Sequence, residues 1–151
     1  MTAPQQTGPE ETAHECARAW AALTAAHARV SAQLTNALQK SSGLSITDFE
    51  ILLRLEAGAG LRIGDLTGAI RLSQPALSRA VARLADRGWL TRSGSQADAR
   101  CVLITLTPVG RDVLSAATAV HASVISETLL GKISPAEQEQ LARILARVAD
   151  G

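Results

Sequence analysis

Aromatic residues are nearly absent from this sequence. Its 151 residues include two Trp, one Phe and no Tyr, although hydrophobic residues make up 46% of the chain. Ala, Leu, Val and Ile must therefore fill the core. Such side chains suit close-packed helices better than a sandwich of two sheets, so the composition favours a mainly helical fold.

Long hydrophobic runs are also missing. The most apolar window, residues 113–130, is interrupted by Ser, Thr, His121 and Glu127, whereas a membrane span needs about 20 predominantly apolar residues. The first fifteen residues are polar and lack the basic start and apolar stretch of a secretory signal. We expect a soluble, cytoplasmic protein with no membrane partner.

Patterns that mark metal sites or catalysis are lacking as well. Cys16 and Cys101 are too few and too far apart for a disulfide framework or a zinc motif. The sequence contains no Gly-rich phosphate loop, no nucleophile elbow and no carboxylate pair flanked by a base. We therefore expect no enzymatic activity, no cofactor and no metal.

Positive charge is concentrated in the middle of the chain. Residues 61–111 contain eight Arg and three Asp, a local net charge of +5, whereas the whole chain carries only +1 and the remainder therefore −4. A basic segment between acidic flanks is typical of a module that faces phosphates. A solvated Arg-rich surface is the alternative, which charge alone does not exclude.

Periodicity and helix-start signals predict the order helix, helix, short helix, turn, helix, β-hairpin, long helix, helix. Ser45, Ser73, Thr107 and Ser134 are the predicted N-caps. The predicted helices cover residues 10–40, 45–57, 63–70, 73–87, 107–130 and 134 to the C-terminus, and the predicted strands cover 89–93 and 101–106. Residues 1–9 form a polar tail.

The first helix has a narrow apolar seam. Its members recur every three or four residues, as in a helix that packs along another long helix: Cys16, Trp20, Leu23, His27, Val30, Leu34 and Ala37. The last helix carries a similar face, at Leu141, Ile144, Leu145 and Val148. These helices either cover a single core or form a dimer interface.

Two helices joined by a tight turn and followed by a hairpin make a winged helix-turn-helix. The major groove of B-DNA is about 12 Å wide and admits one helix, whose N-terminal residues reach the base edges. Arg79 can pair with guanine and Gln74 with adenine, and Arg83 is placed for a phosphate. The predicted DNA-binding residues are Ser73, Gln74, Pro75, Ala76, Ser78, Arg79, Arg83, Arg92, Asp98 and Arg100.

At these residues the sequence resembles the multiple-antibiotic-resistance regulator (MarR) family. The resemblance rests on LTGAIRLSQPALSRAVARLADRGWLTR, residues 66–92, and on DARCVLITLTPVGR, residues 98–111. The second stretch is similar to the family's wing signature, an Asp-x-Arg pair followed by a strand and Leu-Thr-x-x-Gly-Arg. In that family the arginine matching Arg100 enters the minor groove, and the aspartate matching Asp98 holds the wing or a neighbouring arginine.

The resemblance implies a homodimer whose N- and C-terminal helices interlock and whose small anionic or aromatic effector binds in a cleft. Trp20, His27 and Phe49 are the aromatic-ring residues placed to line that cleft, although core or dimer packing explains Trp20 and His27 equally well. One branch of the family senses hydroperoxides through a first-helix cysteine. That branch uses tyrosines, which this chain lacks, so Cys16 is interpreted as inert.

The prediction is thus a mainly α fold with a small β-hairpin wing. A winged helix-turn-helix domain over residues 41–106 is flanked by dimerisation helices over 10–40 and 107–151. The predicted function is a ligand-responsive repressor that binds duplex DNA at a pseudo-palindromic operator. The alternative is a winged-helix module for protein contacts, and a steep loss of binding with salt would favour DNA.

Overall fold

The computed structural model describes residues 9–57, 60–70, 72–94 and 102–150. Its helices are α1 (Pro9–Ser42), α2 (Ile46–Glu56), α3 (Ile63–Ala69), α4 (Gln74–Asp86), α5 (Pro108–Thr128) and α6 (Pro135–Asp150). Its strands are β1 (Leu61–Arg62), β2 (Leu90–Ser93) and β3 (Leu103–Leu106), and a 3₁₀ turn covers Leu130–Lys132. The predicted fold class and element order are confirmed, with one additional strand.

The described chain divides into two compact units. The winged-helix unit runs from Leu34 to Val124, and the terminal-helix unit comprises the residues up to Gln33 together with those from Ile125 onward. Both divisions fall inside a continuous helix, one in α1 and one in α5. The sequence carries no signal for them, because the helical periodicity continues through both points.

An aliphatic core holds the winged-helix unit together. α4 contributes the predicted stripe of Leu77, Val81 and Leu84, all fully buried. The other fully buried side chains of the described residues include Leu38, Leu44, Ile51, Leu52, Leu55, Leu66, Ile104, Leu114 and Ala117. Leu and Ile therefore fill this core, as the scarcity of aromatic residues predicted.

A small antiparallel sheet of order β1-β3-β2 forms the base of the wing. Leu61 lies opposite Ile104, and Thr91 lies opposite Thr105, with their hydroxyl oxygens 2.7 Å apart. The sequence analysis missed β1, because two residues are too short to show an alternating pattern. Gly60 leads into β1 with a φ of +118°, and a Cβ there would lie 2.7 Å from Thr105 Cγ2.

The wing is fixed to α5 through Thr107. Its N–H donates to the Trp89 carbonyl oxygen at 3.1 Å, and its hydroxyl donates to the Gly88 carbonyl oxygen at 2.8 Å. The same hydroxyl accepts from the Gly110 N–H at 2.9 Å. A Cβ on Gly110 would lie 2.0 Å from the Trp89 oxygen, so the Thr-x-x-Gly part of the wing signature is a requirement of packing.

The helix ends follow the predicted caps with two differences. Ser45 and Asp48 form a full capping box at the start of α2, and Ser134 and Glu137 do so before α6. Ser73 is the N-cap residue of α4, but its side chain makes no capping hydrogen bond. α5 ends at Thr128 and not near residue 130, because the chain tightens into the 3₁₀ turn.

The segment Pro108–Lys132 is long and apolar enough, by length and composition alone, to cross a membrane. Within it Leu114 and Ala117 are fully buried in the core of the winged-helix unit, and Val113 and Val120 pack against the same core. The part of this segment up to Val124 therefore contributes side chains to the core of the winged-helix unit.

The terminal-helix unit leaves its apolar side chains uncovered. Trp20 is 68% exposed and Val148 is 72% exposed. Leu23, Ile144 and Leu145 are also exposed. Of the seven predicted seam residues on α1, all of them in the described part of the chain, only Leu34 is buried, and it belongs to the winged-helix unit.

Candidate nucleic-acid interface

α3 and α4 form the helix-turn-helix, and α4 presents its polar face to solvent. α3 packs against α4, and the buried stripe of α4 turns one side of that helix into the core. The opposite side carries the exposed Gln74, Arg79 and Arg83. α4 is therefore the candidate DNA-facing helix of the pair.

The N-terminal half of α4 presents most of the predicted base-reading residues. Ser73, Gln74, Pro75 and Arg79 are exposed. Ala76 and Ser78 are half-buried. The first turn of α4 contains no acidic residue, so the partial positive charge of the helix N-terminus is not offset there. This end of α4 therefore favours an anionic partner.

Arg92 is the described cation of the wing. It lies on β2 opposite Ile104 and is exposed to solvent. Asp98 and Arg100, which the sequence analysis placed at the wing, lie outside the described residues.

Arg83, the predicted phosphate contact, is paired with a carboxylate of α2. Its Nη2 donates to Asp48 Oδ1 at 2.6 Å, which joins α4 to the first turn of α2. The Arg83 side chain is 51% exposed, whereas that of Asp48 is 6% exposed. Sequence reasoning recognised Asp48 only as part of a capping box, because no local signal connects residues that lie 35 positions apart.

Arg87 makes a second link from α4 to the corner between α1 and α2. Its Nη1 donates to the Gly43 carbonyl oxygen at 3.0 Å, and its guanidinium lies 4.7 Å from the centre of the Trp89 ring. Arg79, Arg83 and Arg87 are four residues apart and share one stripe of α4. The stripe thus begins at the exposed Arg79 and continues to Arg83 and Arg87, which donate hydrogen bonds to residues outside α4.

The three predicted effector-pocket residues fall in different units. Trp20 and His27 lie on exposed positions of α1 in the terminal-helix unit. Phe49 lies in the winged-helix unit, where it is 4% exposed and its ring stacks on that of His121 at 5.0 Å. The Phe49 side chain is therefore part of the core of the winged-helix unit, whereas the sequence analysis expected it at the wall of an open pocket.

Among the described residues, no group of three His, Cys, Asp or Glu side chains could hold a metal ion. Cys16 is a free thiol on an exposed position of α1.

The fold and the exposed face of α4 define a winged helix-turn-helix protein. Residues 44–102 match the MarR family. The DNA-bound structure of Sco3205, a MarR family transcriptional regulator from Streptomyces coelicolor, is 25% identical and superimposes with a TM-score of 0.79 over 100% of this chain and 92% of that one.

A Bordetella bronchiseptica protein, BpsR, whose DNA binding is regulated by 6-hydroxynicotinic acid, is 26% identical, with a TM-score of 0.76 over 87% of this chain and 98% of BpsR. The transcriptional repressor MprA of Escherichia coli is 27% identical over 115 residues, which span 75% of this chain and 65% of MprA. The winged-helix segment of this chain therefore matches the MarR family, and the relatives named here are transcription regulators.

Proposed function

We propose that this chain regulates transcription by binding a specific sequence of duplex DNA as a homodimer. The observation that carries the proposal is the open face of α4, where Gln74 and Arg79 are exposed beside an N-terminal turn free of acidic residues. That face has the dimensions and the charge to enter a major groove. A module for protein contacts has no comparable need for an arginine stripe along one helix.

The proposed contacts divide into base readers and phosphate contacts. Arg79 reads guanine and Gln74 reads adenine, because their forked donors and acceptors match those base edges. Ser73, Pro75, Ala76 and Ser78 complete the surface that meets the groove. Arg83 and Arg92 contact the DNA backbone.

Arg100 and Asp98 enter this proposal through the family resemblance. Arg100 is proposed to insert into the minor groove, where A-tracts narrow the groove and strengthen its negative potential. Arg100→Ala should then lower affinity mainly for operators with A·T-rich flanks, while folding is unchanged. Equal affinity of both proteins for operators that differ only in that flank would contradict this role.

The homodimer is proposed from the terminal-helix unit. Its exposed Trp20, Leu23, Ile144 and Val148 need a cover, and a second copy of the chain supplies the same side chains in return. Two recognition helices about 34 Å apart, one turn of B-DNA, would read a pseudo-palindrome.

Regulation by a small anionic or aromatic effector is proposed by analogy with BpsR, and repression by analogy with MprA. Trp20 and His27 are the proposed effector contacts that remain exposed. A protein that works on chromosomal DNA has no need of export, so we propose a cytoplasmic location.

The test starts with a random-sequence duplex pool, from which the purified protein should enrich one pseudo-palindromic site. Arg79→Ala should lose about 1–3 kcal/mol of discrimination between that site and unrelated DNA. Arg54→Ala is the matched control, because Arg54 is an exposed arginine at the end of α2. A protein that enriches no sequence, or whose binding is insensitive to salt, would favour the protein-contact alternative.

A further inference from the structure

Asp48 lies buried in the first turn of α2, and both oxygens of its carboxylate accept hydrogen bonds. Oδ1 accepts from Arg83 Nη2 at 2.6 Å, and Oδ2 accepts from the Ser45 N–H at 3.1 Å. The Asp48 N–H donates in turn to the Ser45 hydroxyl at 3.0 Å. The capping box and the burial of Asp48 therefore hold the carboxylate in one place.

The Arg83 guanidinium is bonded to Asp48 through one nitrogen, and the rest of the side chain is partly accessible to solvent. Only one of its five N–H donors is needed for the bond to Asp48, and 51% of its side chain is exposed. Arg79 lies one turn away on the same face of α4. The guanidinium can thus keep its carboxylate partner while it donates to a DNA phosphate.

We infer that Asp48 is a positioning residue for DNA binding. It orders the Arg83 guanidinium before DNA arrives and fixes α4 to the first turn of α2, and this inference rests on the proposed function. An arginine that is already ordered loses less side-chain freedom when it binds. A guanidinium is suited to this arrangement because its planar fork can bridge two anionic groups.

If Asp48 positions Arg83, loss of its charge should change the DNA affinity in the direction opposite to the one that simple electrostatics predicts. A carboxylate near DNA repels phosphates, so loss of its charge should strengthen binding to every sequence. If Asp48 acts by positioning, its loss should instead weaken binding to the preferred site. Asp48→Asn makes the distinction, because Asn retains an oxygen that can accept from the Ser45 N–H.

Glu50→Gln is the matched control. Glu50 is an exposed residue of α2 two positions away, and this substitution removes the same charge without touching Arg83. With the duplex that wild type enriches from a random pool, we expect Asp48→Asn to bind roughly fivefold more weakly, within the range of coupling between contacting groups. Glu50→Gln should bind as wild type or slightly more tightly. Because a phosphate contact carries no sequence information, Asp48→Asn should show a comparable loss on unrelated DNA.

A double-mutant cycle shows whether the effect passes through Arg83. In an Arg83→Gln background, Asp48→Asn should no longer weaken binding, since the group to be positioned is gone. A merely structural role would lower the melting temperature and weaken binding equally in both backgrounds. If Asp48→Asn fails to fold, Arg83→Lys takes its place, because lysine keeps the charge but lacks the planar fork, and the same loss is expected.

Binding of Asp48→Asn as tight as that of Glu50→Gln would overturn the inference, and so would a loss that persists without Arg83. Failure of wild type to enrich any duplex would overturn the proposed function itself.

Discussion

The two units of the chain differ in how far their apolar side chains are buried. The winged-helix unit buries most of its large aliphatic side chains, and many of them completely, from Leu38 on α1 to Leu114 on α5. The terminal-helix unit exposes Trp20 and Val148 by more than two thirds. Each fully buried Leu or Ile contributes about 1.5–3 kcal/mol relative to an exposed one, so the two units differ greatly in the stability that they can generate alone.

This difference indicates a division of labour. A unit with a closed core holds a surface in a fixed shape, which a DNA-reading helix requires. A unit with an open apolar face is completed only by association. Changes to the closed core should therefore act on stability, whereas changes to the open apolar face should act on association.

The largest expected effect is at Gly110, where α5 meets the strand end at Trp89. A Cβ there would lie 2.0 Å from a backbone oxygen that cannot move without displacing β2. Gly110→Ala should destabilise the winged-helix unit by about 3 kcal/mol or more, as overpacking does at its most severe. Thermal unfolding followed by circular dichroism measures the change.

Gly68→Ala is the control for that substitution. Gly68 lies in α3 with no atom within 4 Å of an added Cβ. Alanine there should leave stability unchanged or raise it by up to about 1 kcal/mol, because it favours the helix. Similar melting temperatures for the two variants would show that the close approach at Gly110 carries no cost.

The second prediction addresses the exposed face of the terminal-helix unit. Val148→Asp should weaken the proposed homodimer at least tenfold, since symmetry places the charge in the interface twice and a tenfold change needs only about 1.4 kcal/mol. Deletion of residues 134–151 should yield monomer or aggregate. Sedimentation velocity over a concentration series gives the dissociation constant.

Val109→Asp separates an interface effect from a general one. Val109 is also an exposed valine, but it lies in the first turn of α5 in the winged-helix unit. That variant should keep the mass of wild type. Dimers of equal strength in both variants would place the interface elsewhere.

A third, smaller effect is expected at Thr107, which joins the wing to α5. Thr107→Val preserves the shape but removes a hydroxyl that donates to Gly88 and accepts from Gly110. A loss of about 1–2 kcal/mol is expected, because partly buried polar groups are left unpaired. Thr91→Val removes an exposed hydroxyl opposite Thr105 and should cost less than about 1 kcal/mol. Chemical denaturation of the two variants ranks them, and the reverse order would contradict the assigned role.

The smallest effect concerns the start of α6 and depends on pH. The Ser134 N–H and hydroxyl donate to Glu137, which holds the pKa of that carboxyl below its ordinary value. A lowered folded-state pKa gives stability that is present above the ordinary value, about 4.3, and is lost as the pH falls through the lowered one. Ser134→Ala should therefore reduce helicity at neutral pH, and the difference from wild type should shrink in acid. A difference that grows in acid would show that the cap acts without the charge.

Sequence patterns sufficed where the responsible contacts are local. The capping boxes at Ser45 and Ser134 span three residues each and could be predicted directly. The buried stripe of α4 follows from its helical period, and the aliphatic core follows from the near absence of aromatic residues. The exposed positions of Gln74 and Arg79 are then fixed as the opposite side of the same helix.

Tertiary structure alone decided the contacts between distant segments. β1 is too short to carry a pattern and exists because it pairs with β3. The sequence around Phe49 is the same whether this side chain lines a pocket or the core. In the structure Phe49 is buried and stacks on His121, which places it in the core. The pairing of Asp48 with Arg83 arises from the packing of α2 beside α4. Periodicity reports which side of a helix is buried, but only the packed fold determines which distant residue lies against it.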